Sequence, residues 1–311
     1  MLSVKHLTDT NELTKEDFYQ ILDTAKAFEE INSRPIKKVP ALKGKTIVNM
    51  FFESSTRTRS SFEIAEKRLS ADTLNFSSSG SAVKKGESFE DTARTLSAYK
   101  IDMVVIRDAH AGAPELLKNY TDAVIMNAGD GKHQHPTQTL LDLYAIRAHF
   151  GKLEGLNIAI VGDCSHSRVV GSLIPAFKTL GIHTTLVGPR TFMPKFIDQM
   201  DVEYTSNIED VLDTVDVVYL LRIQLERIDS TPIPSLEEYR DLYGITKERY
   251  DMLKDDAIVC HPGPVNRGVE IDSELVYAPK SRIIDQVSAG LYVRMASMYL
   301  LLGGETNGIA D

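Results

Sequence analysis

The chain has 311 residues, which fits two domains of ordinary size, and its 42% hydrophobic and 25% charged residues are typical of a globular protein. Its formal net charge of -9 argues against a general nucleic-acid-binding or anionic-membrane-binding surface, so an anionic ligand would need a local basic pocket. Two distant cysteines, Cys164 and Cys260, form no CxxC pair and argue against a structural zinc site. The first residues carry no apolar signal segment and no run is long enough to span a bilayer, so we expect a cytoplasmic protein without a membrane partner.

The first predicted elements are an amphipathic helix and a buried strand. Thr14 opens the helix, and the mostly apolar run at residues 46–50 predicts the strand. After a polar stretch, Phe62, Ala65 and Leu69 recur at helical spacing. The segment is therefore predicted to be a strand, a hydroxyl-rich turn and a helix.

The hydroxyl-rich turn is predicted to bind an anion, because backbone N–H groups and the positive end of a helix dipole point at one spot there. A plain helix cap is the alternative, and Ser60 with Glu63 fits a capping box. A cap alone does not account for two arginines at the positive end of a helix dipole, so we favour the anion site. The groups on offer are the hydroxyls of Ser55, Thr56 and Thr58 and the guanidinium groups of Arg57 and Arg59.

A short strand at residues 74–76 precedes a small, polar loop that contains Lys84 and Lys85. These lysines are either solvated charges or part of a loop that closes over an anionic ligand. A helix at residues 89–99 and a strand that ends at Arg107 follow. Ligands of open α/β sheets lie beyond the carboxyl ends of the strands, so Arg107 is either a ligand-binding residue or a surface arginine.

The strand at residues 123–127 is followed by a turn that enters a helix at Pro136, a residue typical of the first helical turn. His135 and Gln138 are three residues apart and share a face at the helix start. We expect them to offer hydrogen bonds to a ligand. His133 and His135 have no third partner at a familiar ligand spacing, so we do not expect a metal site.

A glycine-bearing connection near residue 150 marks a boundary, and a second α/β series follows. Its first strand, at residues 158–163, lacks the G-x-G-x-x-G fingerprint, so a dinucleotide oxidoreductase has weak support. Further strands are predicted at 184–187 and 215–220, and an apolar run at 257–260 leads into a later turn. Strands that alternate with helices predict an α/β fold with mostly parallel sheets in both halves.

Two later segments carry polar groups beyond predicted strands. Arg222, Gln224 and Arg227 follow one strand, where a ligand site and a solvated loop are equally consistent with the pattern. The turn at residues 261–264 contains two prolines around a glycine, which leaves its carbonyls available to a ligand. The last predicted helix, at residues 288–302, is apolar on several faces and should be buried.

Four motifs now carry a resemblance. They are Phe-x-x-x-Ser-Thr-Arg-Thr-Arg at residues 51–59, Lys-Lys-Gly-Glu at 84–87, His-Pro-Thr-Gln at 135–138 and His-Pro-Gly-Pro at 261–264. In this order, and over nearly the whole chain, they resemble the aspartate/ornithine carbamoyltransferase family. The two-lysine loop and the His-Pro-x-Pro turn are similar to the aspartate branch. The ornithine branch typically has a His-Cys-Leu-Pro turn and a Ser-Met-Gly loop, which this sequence lacks.

The resemblance implies two α/β domains, with the C-terminal helix packing back on the first. Residues 1–150 with 289–311 would form the carbamoyl phosphate-binding domain, and residues 151–288 the aspartate-binding domain. The implied reaction transfers the carbamoyl group of carbamoyl phosphate to L-aspartate, an early step of pyrimidine synthesis. No metal or organic cofactor is implied.

The resemblance also assigns residues. The carbamoyl phosphate ligands would be Ser55, Thr56, Arg57, Thr58, Arg107, His135 and Gln138, with the carbonyls of Gly263 and Pro264. Among these, Arg107, His135 and Thr58 would act catalytically at the carbonyl oxygen, where negative charge grows during attack by the amine. Aspartate would be held by Lys85, Arg168, Arg222 and Gln224, and domain closure would be favoured by Glu53 pairing with Arg168 and Arg227.

The resemblance further implies a homotrimer in which Lys85, and by extension Ser81, reaches the site of the neighbouring subunit. Family members also join regulatory chains or associate with dihydroorotase. No separate general base is evident, and the departing phosphate is a candidate acceptor for the amine proton. Two alternatives remain at this stage: an ornithine-type carbamoyltransferase, which the acceptor-side arginines argue against, and a non-catalytic protein that binds phosphate or an acidic metabolite.

Overall fold

The computed structural model describes residues 2–77, 88–223 and 235–304. The chain divides into two compact units. Unit 1 comprises Met1–Tyr144 with Ser288–Asp311, and unit 2 comprises Ala145–Val287. Two helices run across these division points. Unit 1 is built from two segments of the chain and unit 2 from one uninterrupted segment.

Unit 1 contains a four-stranded parallel sheet in the order β2-β1-β3-β4. Helices connect its strands, as parallel pairing requires. The strands are β1 (Thr46–Phe51), β2 (Asp72–Ser77), β3 (Met103–Asp108) and β4 (Val124–Asp130), and the helices are α1 (Lys15–Asn32), α2 (Thr56–Arg68), α3 (Phe89–Ala98), α4 (Ala113–Leu117) and α5 (Pro136–Phe150).

Unit 2 contains a five-stranded parallel sheet in the order β7-β6-β5-β8-β9. Short 3₁₀ turns join several of its elements. The strands are β5 (Asn157–Val161), β6 (His183–Val187), β7 (Glu203–Thr205), β8 (Val217–Leu220) and β9 (Ile258–Cys260), and the helices are α6 (Arg168–Leu180), α7 (Leu236–Tyr243), α8 (Lys247–Met252) and the first residues of α9 (Ile283–Leu301).

Both sheets confirm the predicted α/β architecture of mostly parallel strands. Their central strands are nearly continuous apolar runs, because helices cover both faces of a parallel sheet. The C-terminal helix α9 packs in unit 1: the Phe28 and Tyr299 rings meet edge to face at 5.8 Å, and Asn32 Nδ2 lies 3.7 Å from Met295 Sδ. This helix begins at Ile283, five residues before the predicted start.

The chain order of each sheet creates a switch point. In unit 1 the chain leaves β1 for β2 on one side and later returns to β3 on the other. In unit 2 the corresponding pair is β5 and β8. A crevice opens beyond the carboxyl ends of the strands at such a point, because the connecting helices diverge there to opposite faces of the sheet. The hydroxyl-rich turn follows β1, Arg107 lies at the end of β3, and Arg168 begins the helix that follows β5.

The start of α1 supports a pH-dependent prediction. Thr14 and Asp17 form a capping box, and Asp17 also accepts hydrogen bonds from the Ser3 backbone N–H (2.8 Å) and hydroxyl (2.5 Å). Burial raises the pKa of Asp17, but the hydrogen bonds from Ser3 and Thr14 outweigh burial and hold the pKa below its usual value. The ionised form therefore stabilises the fold, fully above about pH 5, and this stabilisation is lost as pH falls through the lowered folded-state pKa.

We expect Asp17→Asn to lower the free energy of unfolding by about 1 kcal/mol at pH 7. The difference from wild type should shrink as pH falls through the lowered folded-state pKa of Asp17, because both side chains are neutral below it. Urea unfolding between pH 3 and pH 7 measures this. The exposed Glu16→Gln change in the same helical turn is the control, and an equal, pH-independent loss in both variants would contradict the role of Asp17.

Candidate active site

The hydroxyl-rich turn becomes the N-terminus of α2. The helix begins at Thr56 with Ser55 at the N-cap position, so the capping-box alternative at Ser60 and Glu63 is wrong. Ser60 lies inside the helix, and Glu63 instead pairs with Arg59, whose Nε lies 3.0 Å from Glu63 Oε1. The Arg59 guanidinium therefore forms an ion pair within its own helix. This contact distinguishes Arg59 from Arg57, although the sequence analysis grouped the two arginines together.

The first turn of α2 has the electrostatics of an anion site. In this turn, which the structure describes completely, the helix carries no acidic side chain and Ser55 makes no side-chain capping bond. Thr56 and Arg57 are exposed, whereas Ser55 and Thr58 are half-buried. The backbone N–H groups of a helix start and the positive end of its dipole therefore lie at the same turn as these hydroxyls and the Arg57 guanidinium.

Arg107 lies at the carboxyl end of β3, next to the end of β1. The Phe52 N–H donates to the Arg107 carbonyl at 2.9 Å, which continues the pairing of the two strands past the edge of β1. The Arg107 side chain is 12% exposed and donates through Nη1 to the Ala128 carbonyl (3.0 Å) and through Nη2 to Glu53 Oε1 (3.3 Å). The hydrogen bonds to Ala128 and Glu53 hold the guanidinium at the carboxyl ends of the strands, at the switch point of unit 1.

The turn before α5 is held by Asp130, whose side chain is 1% exposed. It accepts hydrogen bonds from the Gly112 N–H, the Gln134 N–H and Asn127 Nδ2. The turn also needs glycine at Gly131, where φ is +48° and a Cβ would lie 2.7 Å from the Ala111 nitrogen. These constraints fix the backbone that leads directly into His135.

His135 and Gln138 lie at the start of α5, as predicted, and both are largely buried at 6% and 8% exposure. Gln138 Nε2 donates to Asp142 Oδ1 at 2.9 Å, one helical turn further on. This bond assigns the amide orientation, since a carboxylate accepts from the nitrogen end only. The Gln138 oxygen is then the end that can accept a hydrogen bond from a ligand N–H group. The nearby His133 contacts Asp130 and Asp9 instead.

In unit 2, Arg168 is the first residue of α6 and is 4% exposed. The loop between β5 and this helix is held by Asp163, which accepts from the His166 backbone N–H (3.1 Å) and lies 2.9 Å from its ring Nδ1. Burial raises the pKa of the Cys164 thiol strongly, and the charge of Asp163 raises it further. Cys164 is thus a thiol at neutral pH and not a nucleophile.

The loops after β8 and β9 in unit 2 are joined by Glu270, a carboxylate that is 1% exposed. It accepts from the Ile223 N–H (2.9 Å) beside Arg222, and from the Asn266 N–H (2.7 Å) and Nδ2 (2.8 Å) beyond the proline turn. Within that turn the Gly263–Pro264 peptide is cis and the Gly263 N–H donates to His261 Nδ1 at 2.8 Å. One buried carboxylate therefore fixes two predicted ligand-binding loops.

Glu270→Gln is expected to lower the apparent free energy of unfolding by about 1–3 kcal/mol, because an amide N–H₂ group would face backbone donors in a buried position. If Arg222 binds a ligand as predicted, the substitution should also weaken binding of that ligand. Urea unfolding and ligand titration measure the two effects. The exposed Glu274→Gln makes the same chemical change nearby and should leave both quantities unchanged. Equal results for the two variants would contradict this role.

Four residues of the predicted site, Lys85, Ser81, Gln224 and Arg227, lie outside the described residues. Glu53 pairs with Arg107, a contact that sequence reasoning missed, and its pairing with Arg168 and Arg227 stays a prediction. In the part of the chain that the structure describes, no group of three or more His, Cys, Asp or Glu side chains could hold a metal ion. No helix among the described residues is long and apolar enough to cross a membrane.

Sequence reasoning also missed the buried carboxylates that orient the site: Asp130, Asp142, Asp163 and Glu270. Asp142 could have been found, because it follows Gln138 at the i, i+4 spacing that brings side chains together on a helix. The other three act on backbone groups or on residues of loops, for which sequence spacing carries no such signal.

Comparison with known proteins shows the family of the chain. Residues 5–148 match the family model described as aspartate/ornithine carbamoyltransferase, carbamoyl-P binding domain, and residues 154–301 match the Asp/Orn binding domain. The aspartate carbamoyltransferase catalytic subunit of Syntrophotalea carbinolica is 51% identical over 301 residues, which are 97% of this chain and 96% of that protein.

Solved structures give the same result. Aspartate transcarbamoylase from Trypanosoma cruzi, in complex with carbamoyl phosphate and aspartate, has a TM-score of 0.88 at 30% identity, over 96% of this chain and 97% of that one. Another structure of the T. cruzi protein contains N-(phosphonacetyl)-L-aspartic acid. The catalytic subunit of M. jannaschii aspartate transcarbamoylase has a TM-score of 0.84 at 36% identity, over 99% of this chain and 100% of that one.

Two family models that together span most of the chain, and a relative at 51% identity over nearly its full length, show the family. The chain belongs to the aspartate/ornithine carbamoyltransferase family. The curated relative and the two solved structures named above carry the name of the aspartate branch.

Proposed function

We propose that this protein transfers the carbamoyl group of carbamoyl phosphate to the amine of L-aspartate, giving N-carbamoyl-L-aspartate and phosphate. The observation that carries the proposal is the set of cationic and hydrogen-bonding side chains at the switch point of each parallel sheet, in a chain 51% identical to an aspartate carbamoyltransferase catalytic subunit. The reaction is an early step of pyrimidine biosynthesis.

The residues of unit 1 are proposed to bind carbamoyl phosphate. Its phosphate is assigned to the start of α2, where Ser55, Thr56, Arg57 and Thr58 combine hydroxyls, backbone N–H groups and a guanidinium fork. The helix dipole, the absence of acidic side chains from this fully described turn and the exposure of Arg57 support that assignment. The fork is a better match for phosphate oxygens than an ammonium group because it is planar and bidentate.

The carbonyl oxygen is assigned to Arg107, His135 and Thr58. When the aspartate amine attacks the carbonyl carbon, negative charge develops on this oxygen, and donors held in place before the reaction stabilise it without reorganising. The contacts of Arg107 with Ala128 and Glu53 support such preorganisation. The C–O bond to phosphate then breaks, and the departing phosphate is the proposed acceptor of the amine proton.

The carbamoyl amine is assigned to acceptors. Gln138 supplies its side-chain oxygen, and Gly263 and Pro264 supply backbone carbonyls. Because Gln138 Nε2 already donates to Asp142, the amide is oriented as an acceptor.

Aspartate is assigned to Arg168, Arg222, Gln224 and Lys85. A dicarboxylate needs two separated cationic groups with bidentate geometry, which two arginines provide. The same charges disfavour ornithine, whose side chain is cationic. Glu53 and Arg227 are proposed to favour closure.

We further propose a cytoplasmic homotrimer whose active sites are shared, with Lys85 and Ser81 contributed by the neighbouring subunit. This assembly follows the family pattern, and so does association with a regulatory chain or dihydroorotase in some members. No cofactor enters the proposed reaction.

If each active site is shared between two subunits, two different inactive chains should complement each other in mixed trimers. Lys85→Ala and Arg57→Ala chains should each be nearly inactive, but mixing and re-assembling them should restore activity, because each mixed trimer contains about one intact site in three. Turnover per verified mixed trimer measures this. A chain that carries both substitutions, treated in the same way, is the control. Absence of recovery in mixed trimers would contradict shared sites.

The reaction itself is tested by incubating the purified chain with carbamoyl phosphate and either L-aspartate or L-ornithine, and by measuring ureido product and released phosphate. Product with aspartate only is the expected result. Product with ornithine only would overturn the acceptor assignment. Tight binding of carbamoyl phosphate without turnover would favour a binding protein.

A further inference from the structure

The proline turn that follows β9 in unit 2 has few backbone donors. Residues 261–264 include two prolines, so only His261 and Gly263 carry a backbone N–H group there. The His261 N–H donates to Gln286 Oε1 at 2.9 Å, and the Gly263 N–H donates to His261 Nδ1 at 2.8 Å. Both N–H groups of the turn are therefore used within unit 2 itself.

The carbonyls of the same turn are not used in this way. No backbone N–H group of the described residues donates to the Gly263 or Pro264 carbonyl. Pro262 and Gly263 are half-buried and Pro264 is exposed, so this part of the turn lies at the surface of unit 2. Residues 261–264, all of which the structure describes, therefore offer a ligand backbone acceptors and no backbone donors, which suits an N–H₂ group.

The His261 ring is the acceptor that holds the Gly263 N–H, and its side chain is 0% exposed. A ring nitrogen accepts a hydrogen bond only when it carries no proton, so this bond assigns the proton of the neutral ring to Nε2. Nε2 lies 3.6 Å from Glu270 Oε2, and the carboxylate attracts a proton at that position. The ring thus lies between the turn and the buried carboxylate that also holds the Ile223 N–H.

We propose that His261 is a positioning residue whose Nδ1 holds the Gly263 N–H, so that the proline turn presents only acceptors to the carbamoyl amine. This inference rests on the proposed function, in which the Gly263 and Pro264 carbonyls bind that amine. Without the ring acceptor, the Gly263 N–H can turn toward the ligand and face its N–H₂ group, so that two donors oppose each other. The turn then no longer favours a ligand that donates over one that does not.

A pair of ligands isolates recognition of the amine. Acetyl phosphate carries a methyl group where carbamoyl phosphate carries its amine, so it cannot donate a hydrogen bond to the proline turn. The ratio of the acetyl phosphate Kd to the carbamoyl phosphate Kd therefore measures the preference for the amine. A merely structural role of His261 would weaken binding of both ligands together and leave this ratio unchanged.

Two substitutions that yield side chains of nearly equal shape separate the acceptor from the bulk of the ring. His261→Asn places an amide oxygen close to the position of Nδ1, whereas His261→Leu places a methyl group there. Both substitutions remove Nε2 and leave a similar cavity. We expect the ratio to fall about tenfold in His261→Leu and to stay within about threefold of wild type in His261→Asn. Calorimetric titration of the full chain with each ligand measures the ratio.

Val259→Ala is the control for general destabilisation, because it removes part of a fully buried side chain from β9, two residues before His261. It should lower the unfolding temperature and leave the ratio intact. If neither His261 variant folds, nitrogen-15 NMR of the histidine rings in the wild-type protein tests the same contact, since it reports which ring nitrogen carries the proton. The His261 ring should carry its proton on Nε2 and none on Nδ1.

An equal fall of the ratio in His261→Asn and His261→Leu, or a similar fall in Val259→Ala, would overturn the proposal. A proton on Nδ1 of His261 would overturn it as well. A wild-type chain that does not prefer carbamoyl phosphate to acetyl phosphate would instead overturn the binding of the amine that the proposed function assigns to the turn. A wild-type preference that both His261 variants retain would overturn this inference alone.

Discussion

Replacement of Arg57 by alanine should reduce kcat/KM for carbamoyl phosphate by about 10³-fold. The expected loss is that of two charge-assisted hydrogen bonds to phosphate oxygens at about 2 kcal/mol each. Arg57 is exposed at the first turn of α2, so the substitution should not impair folding. Steady-state kinetics with aspartate at saturation, together with direct titration of carbamoyl phosphate, measure the effect.

Arg59→Ala is a matched control for Arg57→Ala. It is the same change two residues further along the same helix, but its guanidinium is engaged by Glu63. Loss of such an i, i+4 pair costs only about 0.3–0.5 kcal/mol, so activity should stay within a few-fold of wild type. Near-normal activity of Arg57→Ala, or equal losses in both variants, would contradict the assignment of phosphate to Arg57.

The second large effect is expected for His135→Ala. If His135 stabilises the developing oxyanion, the substitution should lower kcat by about 10²-fold and change carbamoyl phosphate affinity much less. A large loss of kcat with little loss of carbamoyl phosphate affinity is the diagnostic result, because an interaction made mainly in the transition state contributes little to ground-state binding. Pre-steady-state and steady-state kinetics, with Kd from calorimetry, separate the two quantities.

His133→Ala provides the comparison for His135→Ala. His133 lies two residues earlier and contacts Asp130 and Asp9, with 42% of its side chain exposed. We expect nearly unchanged kcat in this variant. If His135→Ala weakened carbamoyl phosphate binding while kcat stayed near the wild-type value, the residue would be a ground-state ligand and the oxyanion role would be wrong.

Much of the fold was predictable because its signals are local. Parallel sheets follow from apolar strands that alternate with helices, and Pro136 marks the start of α5 correctly. The start of α2 was less certain for a physical reason. Its apolar stripe begins only at Phe62, and the preceding polar turn has no periodicity, so the pattern alone was also consistent with a helix that starts at Ser60.

The positions of several candidate site residues were predictable from local signals. Arg57, Arg107, His135 and Arg168 stand at strand ends or helix starts, where an open α/β sheet binds its ligands. The residues that position these side chains give weaker signals in the sequence. Glu270, for example, lies in a loop, and the Ile223 N–H that donates to it is 47 residues away in the sequence.

The sequence by itself determined the fold class, the order of motifs and the family, because strand alternation, helix starts and residue spacing are properties of short segments. Only the tertiary structure decided which distant polar groups meet: Arg107 with Glu53, and Glu270 with two separate loops. The reason is that burying a charge is favourable only with a partner in place, and that partner is selected by packing in three dimensions rather than by position along the chain.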